Sequence, residues 1–466
     1  MNRNRILIVA ALLLLVPAAS LPGLSSAAVI QGEQTYVLSA GTWGNDQAQA
    51  AAQAGGTVTF SHRKGGIGIV TSSAPDFLDR ALATGAFSGG AADMMVQWQM
   101  PVHEVELEEN AVTPGDETFI NAQWNIRAIE APAAWAAGFT GKGVRVAVLD
   151  GGIHSAHVDL DGNLDVAASR SFVPGQAFNN DTGTFWHGTH VAGIVAAEDN
   201  GIGTIGVAPE ATIVGVKVLH SGSGAFSWVI SGILYAATPI AEGGGGADII
   251  NMSLGAVFPR GGGPGTGQLI SSLNKAVNYA GSKGVLVVSS AGNDSLDLDH
   301  SGSFISVPAM SGSGIAVSAT GPLGFAVGFP NGATDFRRPA SYTNFGSSII
   351  NVAAPGGDFA LPGTANCSLP RVPSGTLSSQ CWVFDMVLST SRGAGASTTS
   401  YSFAAGTSMA SPAAAGVAAL IKQRNPNISL GALKSKLAQT ADDEGAVGHD
   451  PIYGRGFVNA RRAVTE

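Results

Sequence analysis

The chain is poor in charge. Asp, Glu, Lys and Arg make up 12% of its 466 residues, hydrophobic residues 45%, and 64 residues are Gly. An apolar fraction this high excludes a disordered chain, and the Gly content points to a packed globular protein with many tight turns. Cations are the scarcer sign, 24 Lys and Arg against 33 Asp and Glu, and the net charge is −9 with no basic cluster. Nucleic acid is therefore not expected as a partner. Cysteine is almost missing: Cys367 and Cys381 alone, both in a Gly/Pro/Ser-rich stretch. Two ligands do not make a zinc site. Long hydrophobic runs are missing beyond the N-terminus, so no later segment offers the ~18 apolar residues of a membrane-spanning helix.

What is present begins with a targeting pattern. Arg3 and Arg5 precede "ILIVAALLLLVPAA", and small residues follow at "LSSAA". This reads as a signal peptide over residues 1–28, cleaved after Ala27 or Ala28. Its removal would release a soluble exported protein, extracellular or periplasmic, with no membrane attachment. In that setting a nearby cysteine pair reads as a disulfide. The length allows one large core and a smaller domain.

The smaller domain is expected first. "TYVLSA", "DQAQAAAQAG", "TVTFSH", "GIGIVTS", "APDFLDRALATG" and "MMVQWQM" read as β-α-β-β-α-β over residues 35–101, a ferredoxin-like α+β order. The acidic, unpatterned "EVELEENAVTPGDE" reads as an exposed linker. From Gly141 strands and helices alternate. "VRVAVLD", "TIVGVKVL", "DIINMSL", "VLVVSSAG", "GIAVSAT" and "IINVAAPG" are near-continuously apolar, as parallel strands covered on both faces should be. The class is α/β, a mostly parallel sheet with helices on both faces.

In such sheets sites collect at the carboxyl ends of strands. There the chain puts Asp150, then Ser253, Leu254 and Gly255, then Asn293. "TFWHGTHVAGIVAA" supplies His187 and His190. The H-x-x-H could be half a metal site, but a zincin helix places its histidines at i and i+4 around a glutamate. "AGTSMASPAAAGVAAL" places Ser408 before a small-residue helix. Pro412 is expected in that helix's first turn, which puts Ser408 at the N-terminus, where backbone N–H groups are free. A serine nucleophile needs a neutral imidazole to take its proton, and the imidazole needs a carboxylate to fix its tautomer. Asp150, a histidine of the HGTH pair and Ser408 supply those types in the order Asp…His…Ser.

"VAVLDGGI", "HGTHVAGIVAA", "NMSLG", "AGN" and "GTSMASP", in that order, resemble the subtilisin-like serine peptidases from about Asp116 to Ala460. The resemblance implies the subtilisin-like fold over residues 113–466 and hydrolysis of polypeptides through an acyl-enzyme, with no cofactor in the chemistry. It makes Asp150 the orienting carboxylate, His187 the base, His190 structural, Ser408 the nucleophile and Asn293 an oxyanion donor. Ser253, Leu254 and Gly255 would hold substrate as an added strand, and Ser306 would line the base of the S1 pocket. It implies that residues 29–112 are a propeptide, first a folding template and then an inhibitor whose tail, within 103–115, lies in the active site. A structural calcium ion is implied at Asp116, Asp159, Glu198, Asn200, Ile202 and Thr204. A monomer is expected. One stretch departs from the family pattern: an insertion over about 357–386 that carries both cysteines.

Overall fold

The computed structural model describes residues 32–98, 103–107, 117–263, 265–300, 302–332 and 335–466. The signal-like segment 1–28, much of the acidic linker and Asp116 lie outside the described residues.

In the leading unit, β1 (Gln34–Ser39), α1 (Asn45–Gln53), β2 (Thr57–His62), β3 (Ile67–Ser72), α2 (Phe77–Ala83) and β4 (Gly89–Ala92) follow the β-α-β-β-α-β order. The strands pair antiparallel in the order β2-β3-β1-β4. Tyr36, Leu38, Val70, Phe77 and Ala51 close its small core. The last strand is not where the sequence pattern puts it. A Cβ on Gly90 would run into Leu38, so the glycine-rich segment is what fits against β1. The more strand-like Met95–Gln97 becomes β5 and pairs antiparallel with Ser223–Ala225 of the following unit. His103–Glu106 forms β6.

Ten strands follow: β7 (Arg145–Asp150), β8 (Arg170–Ser171), β9 (Thr212–Lys217), β10 (Ser223–Ala225), β11 (Ile249–Met252), β12 (Ala256–Pro259), β13 (Leu286–Ser290), β14 (Phe304–Val307), β15 (Ile315–Thr320) and β16 (Ile350–Pro355). Seven of them make one sheet in the order β16-β15-β13-β11-β7-β9-β8, all pairs parallel. Its helices are α3 (His187–Ala196), α4 (Phe226–Ala237), α5 (Thr266–Ser282) and α6 (Thr407–Arg424). Alternate residues of β7 show why the strands are apolar throughout. Val146 and Val148 join one core with residues of α3 and α6; Ala147 and Leu149 join another with residues of α4 and α5. Two-sided burial removes the polar positions that alternation would otherwise show.

The insertion folds as a hairpin, β17 (Asn366–Pro370) and β18 (Thr376–Gln380), and then a short 3-10 turn, Cys381–Asp385. Cys367 and Cys381 are bonded, their Cα atoms 4.7 Å apart. β19 (Val387–Ser391) and β20 (Ser400–Ala405) then pair antiparallel, and β6 adds to the other edge of β20. No helix among the described residues is long and apolar enough to cross a membrane.

Candidate active site

Asp150 ends β7, His187 opens α3 and Ser408 is the second residue of α6. The approach of α3 to β7 depends on Gly188: a Cβ there would lie 2.5 Å from the Gly152 carbonyl oxygen and 2.9 Å from Asp150 Cβ. Asp150 and His187 are each 1% exposed. His187 Nδ1 lies 2.8 and 3.0 Å from the two Asp150 oxygens, and the Gly151 N–H donates to Oδ1 at 2.7 Å. A carboxylate facing Nδ1 assigns the proton to that nitrogen and leaves Nε2 of a neutral ring unprotonated. His187 Nε2 is buried and has no hydrogen-bond partner. His190 is differently placed. It is fully buried, its Nε2 lies 2.9 Å from the Ser402 carbonyl, and burial pushes its pKa down to about 3. It stays neutral and packs.

Ser408 is buried, and its hydroxyl donates to the Ser253 carbonyl at 3.2 Å. The helix does not start near Pro412 as the proline rule suggests; it starts at Thr407, and Pro412 lies inside it. A residue at 412 would normally donate its N–H to the carbonyl of residue 408, and proline has none. The Ser253 hydroxyl takes that role, donating to the Ser408 carbonyl at 2.8 Å. Behind it, Asn251 Nδ2 donates to Ser253 Oγ at 2.9 Å, and Ser411 Oγ donates to Asn251 Oδ1 at 2.6 Å. Asn293 Oδ1 accepts from the Thr407 N–H at 2.9 Å and its hydroxyl at 2.7 Å, which fixes the amide at the head of α6. Leu254 is buried, with Gly255 beside it. Ser306 is buried in β14, opposite Val257, and its N–H faces Met310 Sδ at 3.2 Å.

The leading segment pairs with the following unit at two places. β5 pairs with β10. The Trp98 N–H donates to the Gly222 carbonyl at 3.0 Å, and its indole N–H to the Gly224 carbonyl at 3.2 Å. The ring is fully buried, edge-on to Phe226 at 5.6 Å. β6 pairs with β20, His103 opposite Ala405, three residues before Ser408. Glu104 lies near His187; burial raises its carboxyl pKa and the nearby imidazole opposes the rise.

The expected calcium residues are partly gathered. Asp159 is fully buried; Thr204 donates to its Oδ2 through N–H at 2.9 Å and hydroxyl at 3.0 Å, while Oδ1 has no partner. Burial pushes its pKa well above the usual range. Glu198 is expected to contribute its backbone carbonyl, as are Ile202 and Thr204; its carboxylate accepts from the Gly162 N–H at 2.6 Å. Asn200 is exposed, donating to the Val158 carbonyl and accepting from the Ile202 N–H. Glu117 was not foreseen. It is buried, one oxygen accepts from the Gly201 N–H at 3.0 Å, the other has no partner, and burial lifts its pKa to about 7. Among the described residues no three His, Cys, Asp or Glu side chains cluster as a metal site. Two buried acids, each with an oxygen that has no hydrogen-bond partner, nevertheless have the donor chemistry calcium takes.

Lys217 was also missed. It is buried at the end of β9, donates to the carbonyls of Gly151 and Leu219, and loses basicity by burial. A lysine inside "TIVGVKVL" was the signal: in a strand covered on both faces it must reach fixed acceptors.

The fold and this constellation point to a serine hydrolase, with Asp150, His187 and Ser408 supplying the residue types of an Asp-His-Ser arrangement. Comparison with known proteins carries this further. The subtilase family model matches residues 141–456. Subtilisin Savinase of Lederbergia lenta is 37% identical over 343 residues, which cover 73% of this chain and 97% of that one. M-protease of Shouchella clausii is 37% identical over 343 residues, covering 73% and 69%. A solved protease of Pseudoalteromonas arctica aligns with TM-score 0.58 and 30% identity, covering 76% of this chain and 99% of that one. The epidermin leader peptide processing serine protease of Staphylococcus aureus aligns with TM-score 0.70 and 20% identity, covering 93% and 98%, a likeness of fold. The chain belongs to the subtilase family and is a subtilisin-like serine peptidase.

Proposed function

We propose that this chain is an exported endopeptidase made as a self-processing zymogen, with Ser408 as nucleophile, His187 as general base and Asp150 as its orienting partner. The Ser408 hydroxyl turns from Ser253 to His187, attacks a peptide carbonyl and passes its proton to Nε2. Asn293 and the Ser408 N–H receive the oxyanion, His187 returns the proton to the leaving amine, and water resolves the acyl-enzyme. Substrate lies as an added strand beside Ser253, Leu254 and Gly255, with Ser306 at the base of the S1 pocket. Calcium fits near Asp159 and Glu117, where it would be structural. Nothing in the chemistry calls for a cofactor.

The observation that carries the zymogen reading is the pairing at the two ends of the 95–106 segment. These ends are strands laid on β10 and on β20, which leads into Ser408. The chain has five residue steps, about 17 Å when extended, to get from Trp98 to His103. This favours a cut between Trp98 and His103, earlier than the boundary near 112 that the resemblance implies. Residues 32–98 are then the inhibitory unit, docked on α4 and α5. Asp93 accepts from the Ser227 N–H at the head of α4, and Ser39 bonds Ser272 of α5 at 2.9 Å.

The test is Ser408→Ala. Wild-type precursor should release an N-terminal piece, and purified Ser408→Ala should accumulate whole and cleave no peptide. Linker cleavage by the purified variant at the wild-type rate would sink the reading.

A further inference from the structure

The insertion, whose role the triad does not explain, meets the leading segment at His103. The His103 ring is stacked on Phe359, centroids 5.1 Å apart and planes 17° apart, and meets Trp382 at 5.3 Å and 60°. Both aromatics belong to the insertion at 357–386. Both are held from behind. Tyr342 stacks under Phe359 at 5.6 Å and 6°, and its hydroxyl donates to the Gly356 and Gly357 carbonyls. The Phe359 N–H donates to buried Asp358 at 2.8 Å, which Arg338 and Ser341 also hold. Trp382 follows the bonded Cys381, and its indole N–H donates to Gln380 at 2.8 Å. Asp385 closes the same turn by accepting from the Gly324 and Phe325 N–H groups. The two rings are thus rigid before anything lands on them, the usual requirement for a selective contact.

We propose that Phe359 and Trp382 form a substrate-binding seat on the leaving-group side of the cleft, selecting a flat aromatic or imidazole side chain. The proposal rests on the reading that residues 103–106 follow the scissile bond. His103 is then the first occupant, and a substrate extending β20 in the same register presents its own ring there. Backbone pairing with β20 supplies sequence-independent affinity, and the seat supplies the choice. A hollow of about 260 Å³ continues past Trp382, lined by Leu323, Val327 and Leu361, and gives room for a ring larger than imidazole.

The experiment uses mature enzyme in a His103→Ala background, so that the chain's own ring cannot compete; residues 104–106 still compete for β20, but equally against every peptide, so the ratios are unaffected. Quenched peptides share one acyl side and carry Ala, Leu, His or Phe at each of the first four leaving-group positions. At one position His and Phe should exceed Ala and Leu in kcat/KM by about three- to tenfold, the range an aromatic pair supports. Phe359→Ala with Trp382→Ala should bring that ratio to within about twofold, while an anilide with the same acyl side and no leaving-group residue is hydrolysed as before. A flat profile overturns the seat, as does a preference that survives the double variant or a parallel loss on the anilide. The cut is mapped separately by N-terminal sequencing. A cut outside Trp98–His103 overturns the path and the seat together; a cut inside it with a flat profile overturns the seat alone.

Discussion

Asp150 and Asp159 are nine residues apart and both buried, yet the protein treats them in opposite ways. Both Asp150 oxygens face His187 Nδ1, and the Gly151 N–H adds a further donor. Asp159 takes two bonds from Thr204 on Oδ2, has no hydrogen-bond partner on Oδ1 and only the uncharged Tyr401 hydroxyl as a further donor nearby, with the acid Glu117 as a neighbour that raises its pKa further. The first carboxylate has its counterpart in the fold. The second lacks one, and a buried anion without a counterpart takes up either a proton or a metal ion. The difference teaches that burial alone does not mark a catalytic acid; the inventory of donors around each oxygen separates the two.

The comparison breaks most visibly in activity. Asp150→Asn should leave the fold intact but present the wrong hydrogen-bonding group to His187 Nδ1, lowering kcat by about 10⁴. Asp159→Asn should leave kcat at saturating substrate within about twofold, since it touches no reacting group. Equal losses in the two variants, measured on one peptide substrate, would erase the distinction.

Stability should show the reverse. If calcium binds at Asp159 and Glu117, removing it with excess chelator should lower the thermal midpoint, by about 2.7 kcal/mol of linkage where free calcium had stood at 100 Kd. Asp159→Asn should not respond to chelator. The pH dependence sharpens this. Glu117 has its pKa raised from 4.5 to about 7, so between those values the chelated native state holds more protons than the unfolded chain. Its stability must then fall as pH rises through that window. Asp159 is shifted in the same direction and adds to the fall. Calcium takes the ionised acids, so its affinity should rise over the same range, with protons released on binding. Calorimetry with and without chelator at pH 5 and pH 8 reads both signs. A chelated midpoint that rises across the window contradicts the account.

The smallest expected effect tests the support behind the nucleophile. Ser253→Ala removes the donor that replaces the N–H missing at Pro412, leaving the Ser408 carbonyl unpaired. Denaturant unfolding should show a loss of about 1–2 kcal/mol. Pro412→Ala restores an N–H and should recover part of that loss in the double variant, a coupling that a double-mutant cycle measures.

Most of the sheet was legible because two-sided burial writes itself into sequence as unbroken apolar runs: the six strand-like runs fall on β7, β9, β11, β13, β15 and β16. The residues at their ends were legible for the same reason. β19 and β20 were not. "VLSTS" and "YSFAA" are fully buried, and two hydroxyls of the first are spent on α3: Ser389 Oγ donates to the His190 carbonyl and Thr390 Oγ1 to the Thr189 carbonyl, each at 2.8 Å. A buried Ser/Thr strand looks like a loop when its partners are far away in sequence. Met95–Gln97 misled in the other direction, since its strand character serves β10 and not its own unit. Glu117 carried no local sign, because its meaning depends on Asp159 and on the loop at Gly201.

Under the zymogen reading, the pairing of β5 with β10 and of β6 with β20 also sets how inhibition depends on concentration. While the chain is whole, β5 and β6 are two short strands on one tether, so each holds the other at a high effective concentration and dilution cannot loosen them. A cut between Trp98 and His103 ends that. The β6 stretch stays joined to the peptidase, where the Leu107 N–H donates to the Tyr401 carbonyl at 3.0 Å. The leading unit becomes a separate molecule, and its grip becomes an ordinary bimolecular equilibrium. In a crowded compartment it would remain an inhibitor; released into a large volume, it would fall away by mass action.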